Sequence, residues 1–246
     1  MDSPSSGLQA CWKGNYYGDS DYSAFATGNG ETNTTPFEER LGMNIWYAVD
    51  ETTFEQYTWY NGQQNKWERV KTWSGFNAHA GVGCYSWGPG TTTYAMMANQ
   101  NNDVEFWWKD TNPNITSSET HPTQAWVNST AGAIRGVYPI TSLGYTTYFY
   151  AQMADRSFKG YNMLYQAENT TFVRDDTFTV TDPASPALGL GGTHLTVTGY
   201  ENKVGNKTEW DSLFVFYQTE GDDITAFTRR IAGGPWTKGK LVIPDT

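Results

Sequence analysis

The chain has 246 residues, enough for one or two domains, with aromatic residues at 16% and charged residues at only 17%. That balance, together with 25 glycines, suits many short strands and tight turns and argues against a helical bundle or a disordered chain. The net charge of −10 and the scattering of the 16 Lys and Arg argue against nucleic acid as a partner, and no apolar run approaches the ~20 residues of a membrane helix.

Residues 1–7 are a polar lead-in with neither the basic nor the apolar region of a signal peptide. Residues 8–13 read as a first inner strand. Residues 15–39 are rich in Gly, Asn, Thr and Tyr, and form either a long insertion or two poorly marked strands. Residues 38–42 fit one helical turn. At 44–59 two aromatic-rich runs flank a polar turn, a hairpin pattern, and 67–73 follows as an outer strand.

The order then repeats. Residues 81–87 are an inner strand, 93–108 a hairpin, and the stretch near 124–128 an outer strand. In the third repeat 133–141 is the inner strand, with a turn at Leu143-Gly144, a hairpin within 147–166 and an outer strand at 177–181. In the fourth, an inner strand starts at Thr193, 201–210 is a loop, and 213–229 is the clearest hairpin of the chain. There Phe214, Phe216 and Gln218 alternate with Val215 and Tyr217 before a Gly/Asp turn. Trp236 and 241–243 finish the repeat.

Slid without gaps, Gln218 falls opposite Gln152, Ala98 and Val49. Multi-strand repeats at roughly this spacing are propeller blades, because one hairpin sheet cannot bury both faces and a ring of sheets can. The expected fold is all-β: a small β-propeller of four blades, with a fifth left open in 15–39. It forms a single domain over 1–246, with repeats at about 8–75, 76–132, 133–188 and 189–246.

Five Asn-x-Ser/Thr sequons, at Asn33, Asn114, Asn128, Asn169 and Asn206, mark glycosylation candidates. Either the protein is not secreted, or a signal peptide has been removed ahead of Met1. The sequons favour the second, hence a secretory-pathway or extracellular glycoprotein. Cys11 and Cys84 occupy the same place in consecutive inner strands, so they form either a disulfide or two buried thiols.

An inner strand ending at Trp87, a hairpin of the form FVFYQ…DDIT…F and a G-x-W at Trp236 together resemble the repeat of fungal fucose-binding propeller lectins of the orange-peel-mushroom type. The resemblance covers most of the chain and implies a sugar site between blades, held by an Arg, a Glu and a Trp or Tyr. Those lectins have six blades, which this chain is too short to form. The Arg position here falls on Ile45, Tyr94, Tyr148 and Phe214, and the Glu position on Tyr57, Phe106, Gly160 and Ala226. Glu105 and Gln56 lie one residue off, which turns a strand side chain to the other face.

The histidines, His79, His121 and His194, lack metal-ligand spacing, so no metal or other cofactor is expected. Aromatic residues then carry the functional reading. Trp12, Tyr85, Trp87 and Tyr138 on inner strands, with Tyr94, Tyr148 and Phe214 at the Arg position, either pack blade on blade or line a pocket for a flat apolar ligand. A pocket of that kind points to a cofactor-free cyclase. The chain is similar in general character to the fungal propeller hetero-Diels-Alderases of tropolone-sesquiterpene pathways. That likeness implies joining a polyketide-derived quinone methide to a terpene, with Lys13, Arg135 or His194 orienting the polar end. The alternative is a lectin with a non-standard sugar site. The expected partner is accordingly a small apolar or aromatic molecule, or a sugar, and a homo-oligomer is left open.

Overall fold

The computed structural model describes residues 8–10, 43–59, 67–86, 92–110, 126–129, 133–145, 148–164, 166, 170–174, 178–182, 187–204, 207–219 and 224–240. Among them there is no α-helix. Sixteen strands form four antiparallel sheets of four strands each, every sheet a meander in chain order.

The first sheet holds β1 (Leu8–Ala10), β2 (Met43–Asp50), β3 (Thr53–Trp59) and β4 (Trp67–Ser74). The second holds β5 (Val82–Ser86), β6 (Thr92–Ala98), β7 (Val104–Asp110) and β8 (Val127–Asn128). In the third are β9 (Leu143–Tyr145), β10 (Tyr148–Gln152), β11 (Phe158–Leu164) and β12 (Thr171–Arg174). The fourth consists of β13 (Thr196–Val204), β14 (Lys207–Gln218), β15 (Ile224–Arg230) and β16 (Thr237–Lys240).

The hairpin turns follow from side chains that mimic backbone. Asp50 Oδ1 accepts Thr52 N at 2.8 Å, Asn99 Oδ1 accepts the amides of Asn101 and Asp103, and Asp155 Oδ1 accepts Ser157 N at 2.9 Å. Asn102 and Arg156 take left-handed backbone at φ of 59° and 68° to close the second and third turns.

The chain falls into two compact units: Met1–Arg135 with Tyr165–Thr171, and Gly136–Leu164 with Phe172–Thr246. The first carries the first two sheets. Its core buries Trp46, Phe54 and Trp73 of the first sheet against Val82, Ala95 and Met97 of the second. The second unit carries the other two sheets, apart from Thr171 at the start of β12. Its core joins Tyr150 and Phe158 of the third sheet to Leu213, Val215, Tyr217 and Phe227 of the fourth.

Several expected strands move. The third sheet begins at β9, where a turn was expected. The expected inner strand 133–141 is irregular and makes only isolated bridges, Ile134 to Val104 and Val137 to Met153. The outer strand of that sheet is β12 rather than 177–181; in the latter, Val180 N still reaches Phe158 O at 3.0 Å. The expected loop 201–210 is mostly strand, since β13 and β14 stay paired from Thr196↔Phe216 out to Val204↔Lys207. The helical turn at 38–42, the strands sought in 15–39 and the strand at 241–243 lie outside the described residues.

Candidate functional site

The site grows from a register that the gapless repeat misses by one. In the first hairpin Ala48 pairs with Phe54 and Asp50 with Thr53, so Val49 is a bulged extra residue. Ala48 therefore takes the place assigned to Val49. Counted from it, the Arg and Glu positions of the first repeat fall on Asn44 and Gln56, not on Ile45 and Tyr57. Gln56, an amide in place of a carboxylate, lies on the inner face, buried at 2% exposure.

Cross-strand pairs Trp46↔Gln56, Gln56↔Lys71 and Phe54↔Trp73 put these side chains on the face of the first sheet that packs on the second. The second sheet answers with Met97↔Glu105, Ala95↔Trp107 and Trp107↔Asn128. The middle of this layer is aromatic. Trp73 meets Trp107 edge-on at 5.4 Å and 89°, and Trp126 at 5.6 Å and 61°. Edge-on geometry sets positive ring edges against negative faces.

Polar groups thread the same layer. The Lys71 ammonium stands 4.2 Å from the Trp73 centroid and 5.3 Å from that of Trp107. Loss of solvent around it pulls its pKa below the usual lysine value. Gln56 Oε1 accepts the Trp73 indole N–H at 3.1 Å. Glu105 Oε1 accepts Asn99 Nδ2 at 2.9 Å, and its Oε2 accepts Trp107 Nε1 at 3.1 Å and Asn128 Nδ2 at 3.2 Å. Lys71, Glu105, Trp107 and Trp126 are half-buried and Asn128 is exposed, so one side of the layer is open to solvent. Glu105 and Trp107 are turned to this layer by the alternation of β7, which sends Phe106 and Trp108 to the other face.

The opposite face of the first sheet carries a second polar group. Glu55 Oε1 accepts Arg69 Nη1 at 2.7 Å, and Glu55 Oε2 accepts the Tyr57 hydroxyl at 2.8 Å. These donors hold the Glu55 carboxyl below its ordinary range, and the carboxylate raises Tyr57 and Arg69 above theirs.

In the second unit the matching layer is filled by the chain itself. Phe158 stacks on Tyr217 at 3.8 Å, Tyr148 on Phe178 at 4.5 Å, and the Arg229 guanidinium lies 4.6 Å from the Phe178 ring. Gly160, at the Glu position, is covered by the Tyr150 ring, which leaves no room for a Cβ. Gln152 donates to Leu190 O and accepts from Gly192 N, both at 2.9 Å, tying β10 to the strand-free segment ahead of β13.

The residues expected to form a pocket scatter. Tyr94 is buried at 1% exposure in β6, on the face away from Lys71. Tyr148 is spent on Phe178, and Phe214 lies parallel to Phe216 at 6.2 Å. Tyr138, Arg135 and His194 are not on inner strands. Tyr138 is half-buried in an irregular stretch, whereas Arg135 in the first unit and His194 in the second are exposed. Tyr85 and Cys84 lie in β5, but their side chains, like Lys13, Trp12, Trp87, Cys11, Asn33, Asn114, Asn169 and Asn206, fall outside what is described. Lys71, Trp73, Trp107 and Trp126 were missed. The available signal was a tryptophan two residues after a lysine in the outer strand, facing the Gln56 side of the hairpin.

Among the described residues no group of His, Cys, Asp or Glu gathers to hold a metal, and no helix is long and apolar enough to cross a membrane. No protein-family model and no curated protein matches the chain. Solved structures do. The SapL1 lectin, solved with α-methyl fucoside, superposes with a TM-score of 0.57 at 15% identity over 84% of this chain and 62% of its own. AofleA from Arthrobotrys oligospora gives 0.56 at 16% identity over 82% and 53%, and a triple arginine-to-alanine mutant of it gives 0.56 at 17%. The chain thus spans less than two thirds of the length of these structures. At such identities the likeness speaks for the fold, and the four meander sheets are those of an all-β, lectin-like propeller.

Proposed function

We propose that the chain is a carbohydrate-binding protein whose sugar site is the open side of the layer between its first two sheets. The observation that carries this reading is the pair of half-buried indoles, Trp107 and Trp126, flanked by Lys71, Glu105 and Asn128. A pyranose has an apolar face of C–H groups and a rim of hydroxyls. An indole face receives the first, and Asn128 and the Lys71 ammonium donate to the second. SapL1, a lectin of the same fold, lends the reading a context without lending its ligand. The Arg and Glu positions of this chain hold neither residue, so the grip on sugar here is of its own kind.

The cyclase reading draws less support. Of the aromatics it would use, Tyr94 is sealed in packing, and Tyr148 and Phe214 are occupied by neighbouring rings. A glycan array with the purified protein, run beside a fucose-binding propeller as positive control, tests the proposal. Sugar-competable binding that Trp107→Ala abolishes is expected. A blank array beside a working control overturns it.

A further inference from the structure

We infer that this layer selects acidic sugars, those bearing a carboxylate, over their neutral counterparts; the inference rests on the sugar-binding reading above. Of the charged side chains on this layer, Lys71 and Glu105 are the two in contact with its indoles, and they are not equally available. Glu105 has both oxygens engaged: Asn99 on one, Trp107 and Asn128 on the other. Its charge is answered within the second sheet. Lys71 is different. Its ammonium nitrogen stands 4.2 Å from the Trp73 centroid and 5.3 Å from that of Trp107, and among the described residues it makes no ion pair.

The layer therefore offers a half-buried cation with donors to spare and no carboxylate to spare. A neutral sugar held by an Arg/Glu pair gives hydrogens to the acid and takes hydrogens from the base. Here the Glu position is Gln56, whose oxygen is occupied by Trp73. What Lys71 lacks is an ion-pair partner, and a ligand carboxylate beside it supplies one. Such a charge-assisted pair, partly shielded from water, is stronger than a neutral hydrogen bond. It also offsets the cost of holding the ammonium out of solvent, the cost that burial already exacts in its lowered pKa. The chain as a whole carries −10 and repels anions, so a preference for acidic sugars must come from this side chain rather than from the general field.

The test is a calorimetric titration with methyl β-D-glucuronide and methyl β-D-glucoside, which share a ring and differ at the terminal carboxylate. The wild-type protein is expected to bind the glucuronide more tightly by about tenfold or more, the worth of one charged hydrogen bond. Lys71→Met, which keeps the apolar stem against the indoles, should bind both glycosides alike. Lys71→Arg should keep the preference, and near-ultraviolet dichroism reports whether each variant keeps its packed tryptophans. Equal affinities in the wild type, or a preference that survives in Lys71→Met, overturn acidic selectivity and leave sugar binding standing. Binding of neither glycoside, together with a blank array, removes both readings.

Discussion

Gln56 accepts the indole N–H of Trp73 at 3.1 Å between two strands of the first sheet, and both side chains are buried. A buried donor without an acceptor costs more than the bond itself contributes. Replacing Gln56 by Leu should destabilise the protein by about 1–3 kcal/mol for that reason. The same change in a Trp73→Phe background, where the indole donor is gone as well, should cost less. Urea unfolding of the change in both backgrounds, each beside its parent, decides; equal losses would mean the hydrogen bond is not the source.

A second pair makes the opposite prediction. Among the described residues the buried Tyr150 hydroxyl has no hydrogen-bond partner, and its ring covers Gly160. Tyr150→Phe removes an unmet polar group and should leave stability unchanged or raise it. Gly160→Ala drives a methyl into the ring and should cost about 1–3 kcal/mol by overpacking. Combining the two should recover part of that cost, because one of the atoms struck is the hydroxyl oxygen. Thermal melts of the three variants provide the check.

Burial raises the phenols of Tyr150 and Tyr217 well above the ordinary 10.0. The folded protein keeps these protons where the unfolded chain releases them. Above pH 10.0 the native state thus binds more protons, and stability should fall as pH rises through that point. Ultraviolet titration should show two tyrosines ionising late, together with loss of near-ultraviolet dichroism. Phenol ionisation that runs to completion in the folded protein would contradict this.

At the acid end the group to watch is Glu55. Arg69 and Tyr57 donate to its carboxylate and hold its pKa below 4.5. The stabilisation is present above the unfolded value and lost as pH falls through the folded one. Glu55→Gln should lower the melting temperature slightly at neutral pH and match the wild type in strong acid. A difference that persists unchanged into acid would point to packing rather than charge.

The hairpins were legible in the sequence because alternation is local. Phe214, Phe216 and Gln218 read as one face from residue types alone, and the structure pairs β14 with β15 across that turn. The all-β class and the meander order follow from the same signal. What failed was everything that depends on a partner strand. Residues 201–210 are polar and look like a loop, yet 201–204 and 207–210 are strand because each strand supplies the other's hydrogen bonds. The segments 171–174 and 177–181 are equally strand-like, and only packing against β11 chose the first.

The site shows the same division. Composition announced that aromatics dominate, but the bulge at Val49 shifts one hairpin by a residue, and a period of two turns such a slip into the wrong face. Gln56 was therefore set aside and Tyr57 put in its place. Lys71, Trp73 and Trp107 come from two different repeats, and no spacing within either announces that they meet. Local patterning, which needs only neighbouring residues, determined the strands and the fold class. The choice of which faces meet, and so which cation lies on which indole, came from sheet packing, because burial between two sheets is a property of both.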